Sequence, residues 1–492
     1  MRAQLQRFFN RFSHDSVSNQ GTIQKENSSS ILPKAQSSDW HGFNTKRACL
    51  FLFVVALVVR LLILVTFDNN YISPDGMVYH TLAANVAKGN GLSLQGYEPF
   101  ERSFLREPGY PMFLGGIYSV VKLFHPVRYI QGLNRTTYIL DDTYPEIITA
   151  KVVQSIIGAT SIVLVFLILI RISNFRMAFW TGLISAVFVQ LAFQNMFILR
   201  ETLVMFLLLV LNWLYLEYLS EKRKILYLTF MGIVVGFLIL VFQIHIVILP
   251  VFFVLTWIIS RRWWLSLKHT TLISAVTVLI IAPHCLSAYS YYPNINVLKS
   301  FGTSLTHEMM AYTRAQFITV DYGLQKREDA YISLGGEWGR SSREQFDRSF
   351  NGYYLAKADS LNSLIPTAWL IKHKISTYAF NAIHSIYMSG VGYLSGAQFI
   401  AKYGWLIGYQ LLLLPRVIGI FGFLGLIAFG RKYLLYLLPF VTYALFFWIL
   451  GSEYRRMIIL QPFFIFFGVL FGQYIYLKAK GYLQLTFPTP EK

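Results

Sequence analysis

The sequence is poor in cysteine and in charged residues. Of its 492 residues, two are cysteines, and Asp, Glu, Lys and Arg together make up 14%. Cys49 and Cys285 fall inside or at the edge of apolar segments, so they provide neither a disulfide framework nor a metal site. The chain is instead 55% hydrophobic, and apolar runs near 20 residues recur along it. This pattern indicates an all-α polytopic membrane protein.

Several familiar chemical motifs are also missing. The sequence has no glycine-rich phosphate loop, no His-Glu-x-x-His helix and no cysteine cluster, so ATP-driven transport and zinc hydrolysis lack support. Acidic residues number 24 against 43 basic ones, a formal charge of +19. The basic residues lie mostly at helix ends, where they report topology and contact with anionic lipids, so we expect no nucleic-acid partner.

About ten transmembrane helices are predicted from the apolar runs. They cover 48–67, 150–170, 177–198, 202–220, 225–242, 244–260, 270–289, 411–429, 433–450 and 457–477. The chain then divides into a disordered basic tail (1–47), an N-terminal membrane module (48–289) containing a long outer loop (68–149), a second outer loop (290–410), C-terminal spans (411–477) and a second tail (478–492). We expect amphipathic helices in both loops, with the helices of the second beginning at about Gly352.

Charge at the helix ends predicts the orientation. With the first tail inside, every inner connection is basic, as the positive-inside rule requires. Both termini are therefore expected in the cytoplasm, in a cell inner or plasma membrane or, in a eukaryote, the endoplasmic reticulum membrane. Arg455 and Arg456 break the rule on the outer side.

A polar stretch, residues 68–111, follows the first span. Residues 77–88 have the pattern of a short amphipathic helix, with Pro74 suited to its start and Gly89 to its end. Asp75 then lies in the first turn at the lipid–water boundary and is our candidate catalytic carboxylate. The alternative is an ordinary N-terminal cap.

The predicted topology gathers acids and arginines at the outer face. The set comprises Asp68, Asp75, His80, Arg106, Glu107, Glu201, His245, His284, Glu453, Arg455 and Arg456. Such a set suits transfer in which a carboxylate takes a proton from an acceptor hydroxyl while cations hold a departing phosphate. A lipid-phosphate sugar fits this geometry, with its tail in the bilayer.

Several motifs resemble those of the GT-C membrane glycosyltransferases, in particular the branch of protein mannosyltransferases and bacterial lipid A aminoarabinose transferases. Arg106-Glu-Pro-Gly-Tyr-Pro111 is similar to the Arg-x-Pro-Gly-Tyr-Pro signature of that class, and Asp75 with Tyr79 to its acidic motif. Arg200-Glu201-Thr-Leu is similar to its Ser-Glu-Thr-Leu, and Glu453-Tyr-Arg455 to its Glu-Arg-Tyr-like motif. The chain departs from the pattern at Gly76, His284 and Ala288-Tyr289.

The resemblance implies a GT-C-like fold, a polyprenyl- or dolichyl-phosphate sugar donor, inversion at the anomeric carbon, and Asp75 as the base. We assign the expected site accordingly: Asp75 and Glu201 catalytic; Arg455, Arg456, Arg60 and Arg106 on the donor phosphate; Glu453, Tyr79 and His80 positioning the acceptor. The acceptor would be a glycan, a lipid or a protein, with membrane lipids as further partners. No metal ligand is assigned: Asp141-Asp142 could hold a divalent cation, but a solvated loop is the favoured interpretation.

Structural alternatives remain for individual residues. Arg60, about seven residues or ~10 Å below the outer end of its span, either pairs with a carboxylate or extends toward the interface. Arg106 could brace its proline-rich loop, while His245 and His284 are expected to be packed interface residues. For the whole chain, a transporter or flippase of a lipid-linked or anionic substrate is the main rival, and a non-catalytic envelope scaffold is a third reading.

Overall fold

The computed structural model describes most of the chain between residues 44 and 486. The described residues are 44–66, 72–131, 133–134, 139–140, 142–220, 224–295, 297, 299–301, 303–376, 414–442 and 459–486. The predicted tail up to residue 43 lies outside these ranges, as do Asp68, Asp141, Glu453, Arg455 and Arg456.

The described part is almost entirely helical. Sixteen helices are numbered here in chain order: α1 (Thr45–Thr66), α2 (Pro74–Lys88), α3 (Gly109–Val121), α4 (Pro145–Ile172), α5 (Phe175–Val187), α6 (Val189–Phe193), α7 (Glu201–Ser220), α8 (Lys224–Val241), α9 (Ile248–Ser260), α10 (Trp263–Tyr291), α11 (Thr303–Asp321), α12 (Arg327–Trp338), α13 (Ser342–Phe350), α14 (Tyr353–Asn362), α15 (Leu414–Tyr433) and α16 (Gln461–Thr486). A two-stranded antiparallel ribbon, β1 (Leu133–Asn134) with β2 (Ile139–Leu140), precedes α4.

Within the described residues, seven helical segments are long and apolar enough to cross a membrane. They are Thr45–Thr66, Pro145–Ile172, Glu201–Ser220, Lys224–Val241, Gln243–Ser260, Trp263–Tyr291 and Arg416–Tyr436. An eighth span is formed if the bent pair α5 and α6 counts as one. These segments match eight of the ten predicted spans and indicate a multi-pass integral membrane protein. The predicted span 433–450 lies largely outside the described residues. The predicted span 457–477 corresponds to helix α16, which is not among these segments, so the total of ten stays a prediction.

The predicted span 177–198 is broken rather than continuous. Extended backbone at Phe188 separates α5 from α6, and the two parts diverge by 55°. A 3₁₀ turn, Gln194–Met196, follows α6. The break turns Asn195 into the protein interior, where it is 1% exposed.

Glycines allow close contact between two pairs of long helices. A Cβ atom at Gly232 or Gly236 of α8 would lie 2.6 Å from Val276 or Ile280 of α10, respectively. On α15, a Cβ atom at Gly422 would lie 2.5 Å from the carbonyl oxygen of Phe464 in α16. Small residues of this kind let helix backbones approach within a bilayer.

The two predicted outer loops pack against each other. Phe104 of the first loop joins Met309, Phe346 and Tyr354 of the second in one buried aromatic cluster. The structure differs from the sequence prediction here, because α11, α12 and α13 all precede Gly352. Local capping signals account for part of this helical structure: α13 begins with a reciprocal Ser341–Glu344 capping box.

Candidate active site

Helix α2 positions Asp75 in its first turn, as predicted. The hydroxyl of Ser73 accepts a hydrogen bond from the Gly76 amide (3.0 Å), so the N-cap is Ser73 and not Asp75. Gly89 ends the helix in the left-handed conformation, with φ of +91°. A Cβ atom at Gly76 would lie 3.2 Å from the carbonyl oxygen of Ile198, so this end of α2 packs against the segment before α7.

Asp75 forms an ion pair with Arg106, from the loop that precedes α3. Both side chains remain partly exposed, at 23% and 19% respectively. The Arg106 guanidinium also lies 5.8 Å from the centre of the Tyr79 ring, one turn along α2 from Asp75. The structure therefore brings together three of the predicted site residues: Asp75, Tyr79 and Arg106.

A second ion pair joins Glu107 to Arg200. Arg200 Nη1 donates to Glu107 Oε2 at 2.6 Å, with the side chains only 10% and 4% exposed. The guanidinium of Arg200 lies 3.7 Å from the centre of the Phe242 ring. This pair connects the proline-rich loop to the segments that end α8 and begin α7. Gly109 permits the approach, because a Cβ there would lie 2.7 Å from backbone atoms of α8.

Neighbouring groups hold both arginines in the charged form. Burial lowers the pKa of Arg200, but the charge of Glu107 raises it further, so its net pKa is above the ordinary value. At Arg106 burial is likewise outweighed by Tyr79 and Asp75, and its pKa is raised. Burial raises the pKa of the Tyr79 hydroxyl. Two guanidinium ions and a neutral phenol therefore stand together at one end of the helices.

A buried amide network supports this cluster from below. Tyr110 donates to Gln154 Oε1 of α4 at 2.7 Å. Gln154 Nε2 in turn donates to the backbone carbonyls of Asn195 (3.2 Å) and Phe197 (2.8 Å), and Asn195 Oδ1 accepts from Thr202 (2.9 Å). Gln154 thus fixes the non-helical stretch that leads to Arg200. Polar groups in an apolar span must find such partners.

Arg60 is fully buried in the middle part of α1, neither extended toward the interface nor paired with any described carboxylate. Its Nη1 donates to the carbonyl of Ala56 at 2.9 Å, whereas Nε and Nη2 have no hydrogen-bond partner among the described residues. A Cβ atom at Gly158 would lie 2.8 Å from Arg60 Nε and 2.7 Å from Asn195 Nδ2, so Arg60 borders the amide network.

Glu201 begins α7 and is 6% exposed. Its Oε2 has no hydrogen-bond partner among the described residues. Its charge contributes, after burial and Tyr118, to raising the pKa of Tyr110, so the carboxylate lies near the loop that carries Arg106 and Glu107. A buried carboxylate oxygen without a partner is costly and marks a position that a ligand or water can satisfy.

His80 points away from Asp75, on another face of α2. Its Nδ1 lies 3.1 Å from the hydroxyl of Tyr118, and its Nε2 lies 3.0 Å from the carbonyl of Arg128. Burial lowers the pKa of His80 to about 4, so the imidazole is neutral at ordinary pH. The acceptor-positioning role stays a prediction, but both ring nitrogens already have partners within the protein.

The other two histidines of the predicted outer set are also hydrogen-bonded to backbone. His245 Nδ1 lies 2.7 Å from the carbonyl of Phe242, and His284 Nε2 lies 2.9 Å from that of Ser300. His284 also contacts Arg102, which reaches it from the first outer loop.

The His, Cys, Asp and Glu side chains of the described residues bear on metal binding. No group of three His, Cys, Asp or Glu side chains there has the spacing to hold an ion. Asp142 pairs with Arg128 at 3.2 Å, and its neighbour Asp141 lies outside the described residues.

Sequence reasoning missed the amide network and underrated Glu107 and Arg200. The available signal was the presence of Gln154 and Asn195 inside apolar runs. A polar side chain within a membrane span requires a hydrogen-bond partner, so both residues pointed to buried contacts. The pairing of Glu107 with Arg200 had no such signal, because 93 residues separate the two.

The sequence matches no protein-family model, and no curated protein matches it. Among solved structures, the chain is similar over 92% of its length to the archaeal oligosaccharyltransferase AglB from Archaeoglobus fulgidus in complex with an inhibitory peptide and a dolichol-phosphate, at 14% identity and a TM-score of 0.47. It spans about half of that protein, 53%. Over 86% of its length it is similar to ArnT from Cupriavidus metallidurans bound to undecaprenyl phosphate, covering 77% of that chain at 15% identity and a TM-score of 0.39.

Both neighbours are GT-C membrane glycosyltransferases, the class that the motifs resemble.

Proposed function

We propose that the protein transfers a sugar from a polyprenyl- or dolichyl-phosphate donor to an acceptor hydroxyl, at the membrane face where Asp75 lies, with inversion at the anomeric carbon. The observation that carries the proposal is the meeting of two carboxylate–arginine pairs, Asp75–Arg106 and Glu107–Arg200, beside Tyr79. Three distant chain segments supply these groups, at the ends of apolar helices that would embed a lipid tail.

In the proposed reaction, Asp75 is the general base. The acceptor oxygen forms a bond to the anomeric carbon as the bond from that carbon to the phosphate oxygen breaks. The acceptor proton passes to the Asp75 carboxylate, and the lipid phosphate leaves with its electron pair. A cation beside the departing phosphate stabilises the developing charge.

Arg106 links the base to the donor. In the absence of substrate its guanidinium is held by Asp75, a contact that is still partly open to solvent. A phosphate that recruits Arg106 would release the Asp75 carboxylate to accept a proton. Donor binding would thereby activate the base, and we include Arg455 and Arg456 as further phosphate ligands by sequence position alone.

Glu201 is assigned to the acceptor side of the same site. Its unpartnered Oε2 is a ready acceptor for a substrate hydroxyl or for a cation. Glu201→Gln keeps the size of the side chain and removes its charge, so a loss of transfer with unchanged donor binding would support this role.

Replacement of Asp75 by Asn tests the proposal. Purified protein would be incubated with a panel of radiolabelled polyprenyl-phosphate sugars and acceptor lipids or glycans. Removing a general base costs about 100- to 10,000-fold in rate, so Asp75→Asn should reduce transfer by that factor with expression and membrane insertion unchanged.

Asp142→Asn is the matched control. Asp142 is also a carboxylate of the first outer loop in an ion pair with arginine, but its side chain is 68% exposed and pairs elsewhere. It should leave the rate unchanged. Substantial residual transfer in Asp75→Asn would remove Asp75 as the base.

A second candidate function, movement of a lipid-linked or anionic substrate across the membrane, is favoured by two observations. Arg60 is a buried charge within a span, and α5 and α6 form a broken span beside it. Transporters use discontinuous helices and intramembrane charges in this way. Proteoliposomes that move a polyprenyl-phosphate sugar without breaking its sugar–phosphate bond, and lose this ability in Arg60→Gln, would favour this function.

A further inference from the structure

A basic and aromatic surface lies at the other end of the spanning helices. It is built by the turn between α9 and α10, at Arg261 and Arg262, and by the first residues of α10. The span that ends there, Gln243–Ser260, begins beside Phe242, which contacts Arg200 of the candidate active site. Its 18 residues place the turn about 27 Å from that site, the thickness of a bilayer core.

The surface contains a groove of about 490 Å³, lined by Arg262, Trp263, Trp264, Leu265 and Lys268. The two indole rings stack with their centres 4.1 Å apart and their planes 26° from parallel. Trp263 is 49% and Trp264 66% exposed. Adjacent indoles left this open are unfavourable in water, whereas tryptophan at the level of the lipid head groups is a common feature of membrane proteins.

Within the described ranges, the cations beside the groove have no carboxylate partner. Arg261, Arg262 and Lys268 are exposed, and none forms an ion pair with a carboxylate in the described ranges. Glu217, a described carboxylate near the neighbouring end of α7, pairs with Arg171 at 2.5 Å.

We propose that this groove binds the phosphate of an anionic phospholipid head group, on the membrane face opposite the candidate active site. Arg262 and Lys268 contact the phosphate through charge-assisted hydrogen bonds. The stacked indoles of Trp263 and Trp264 pack on the glycerol and upper acyl region. Unpaired cations beside exposed tryptophans suit a ligand that is anionic at one end and apolar at the other. The site does not depend on the glycosyl-transfer proposal.

Tryptophan fluorescence quenching in nanodiscs tests the proposal. The protein would be placed in phosphatidylcholine containing the same fraction of either brominated phosphatidylglycerol or brominated phosphatidylcholine. A variant with Trp263→Phe and Trp264→Phe reports the signal of the other eight tryptophans of the ten, and subtraction isolates the pair. We expect stronger quenching of the pair by the brominated phosphatidylglycerol.

Charge variants identify the ligand group. Arg262→Gln and Lys268→Gln should each reduce the preference for phosphatidylglycerol about fivefold, as about 1 kcal/mol per cation implies. Arg262→Lys with Lys268→Arg conserves charge and should retain the preference. Arg431→Gln with Lys432→Gln is the matched control, because these exposed cations end α15 without a tryptophan pair, and it should have no effect.

Three results would overturn the proposal. One is equal quenching by the two brominated lipids. Another is a preference that persists when Arg262 and Lys268 are both replaced by Gln. The third is full loss of the preference in the presence of inorganic phosphate at constant ionic strength, which would assign the groove to free phosphate and not to a lipid.

Discussion

Two ion pairs from adjacent residues of one loop differ sharply in burial. Arg106 pairs with Asp75 where both side chains keep about a fifth of their surface, whereas Glu107 pairs with Arg200 where almost none remains. The first can exchange its partner for a substrate at little cost. The second cannot, because separating two buried charges leaves each without compensation.

This difference in burial gives the two ion pairs different roles. The Glu107–Arg200 pair holds the loop against α7 and α8, together with the contact of Gly109 and the Tyr110–Gln154 hydrogen bond. That support leaves Arg106 and Asp75 fixed in position but open to a ligand. A site of this kind needs a rigid foundation beneath an exchangeable contact.

Neutralising one member of each pair gives the largest expected contrast in stability. Glu107→Gln should reduce the free energy of unfolding by about 3–5 kcal/mol, since it leaves Arg200 buried and unpaired. Asp75→Asn should cost about 1 kcal/mol or less, because its pair is partly solvated. Thermal and denaturant unfolding in detergent would measure both, and equal costs would contradict the comparison. Replacing both Glu107 and Arg200 by apolar residues should recover part of the loss.

His80, on the other face of α2, should make the stability of the folded protein depend on pH. Its pKa is about 4 in the folded protein against 6.5 ordinarily, so the unfolded chain takes up a proton first as pH falls. The contribution of neutral His80 to the free energy of unfolding is fully present above pH 6.5. It is lost progressively as the pH falls to about 4, and the total loss over this interval is about 3 kcal/mol. His80→Asn should flatten the stability profile over this range. The other buried histidines are present in both the wild type and the variant, so their contributions cancel in the comparison. Superimposable stability–pH profiles of the two proteins would refute the contribution of His80.

Arg106 is the cation expected to contact the donor, and its removal should act on donor binding. A hydrogen bond to a charged group contributes about 1.5–3 kcal/mol, so Arg106→Gln should raise the donor KM by about tenfold or more. Arg106→Lys should retain part of the affinity, as a charge without the bidentate geometry. Arg128→Gln, which removes the partner of Asp142 in the same outer loop, is the control. An unchanged KM in Arg106→Gln would leave Arg106 as a brace for the loop.

Replacing Gln154, in the amide network that supports both ion pairs, should have a smaller effect on stability than replacing Glu107. Gln154→Leu leaves the carbonyls of Asn195 and Phe197 without their donor, and should cost about 1–3 kcal/mol of stability. Thr160→Val is a matched change on the same helix. Among the described residues, the Thr160 hydroxyl bonds only the carbonyl of Ile156, one turn earlier. It should stay within about 0.5 kcal/mol. Equal effects of the two variants would show that the network adds no support.

Local sequence signals predicted the surroundings of Asp75 well. Pro74 and Gly89 bound α2 as expected, and Asp75 lies in its first turn. Such signals succeed because capping and left-handed backbone depend on a few neighbouring residues. The break at Phe188 was not predicted, since neither proline nor glycine occurs there. The helices before Gly352 were missed because their low hydrophobicity resembles that of a loop.

The sequence by itself indicated a helical, multi-pass membrane protein, since the length and hydropathy of a segment identify it as a candidate span. It also predicted a set of polar groups near the ends of the spans. Only the tertiary structure decided which charge meets which: Arg106 with Asp75, Glu107 with Arg200, and Arg60 with no described carboxylate. Pairing depends on distances between remote segments, and the helix packing that sets those distances is a property of the whole chain.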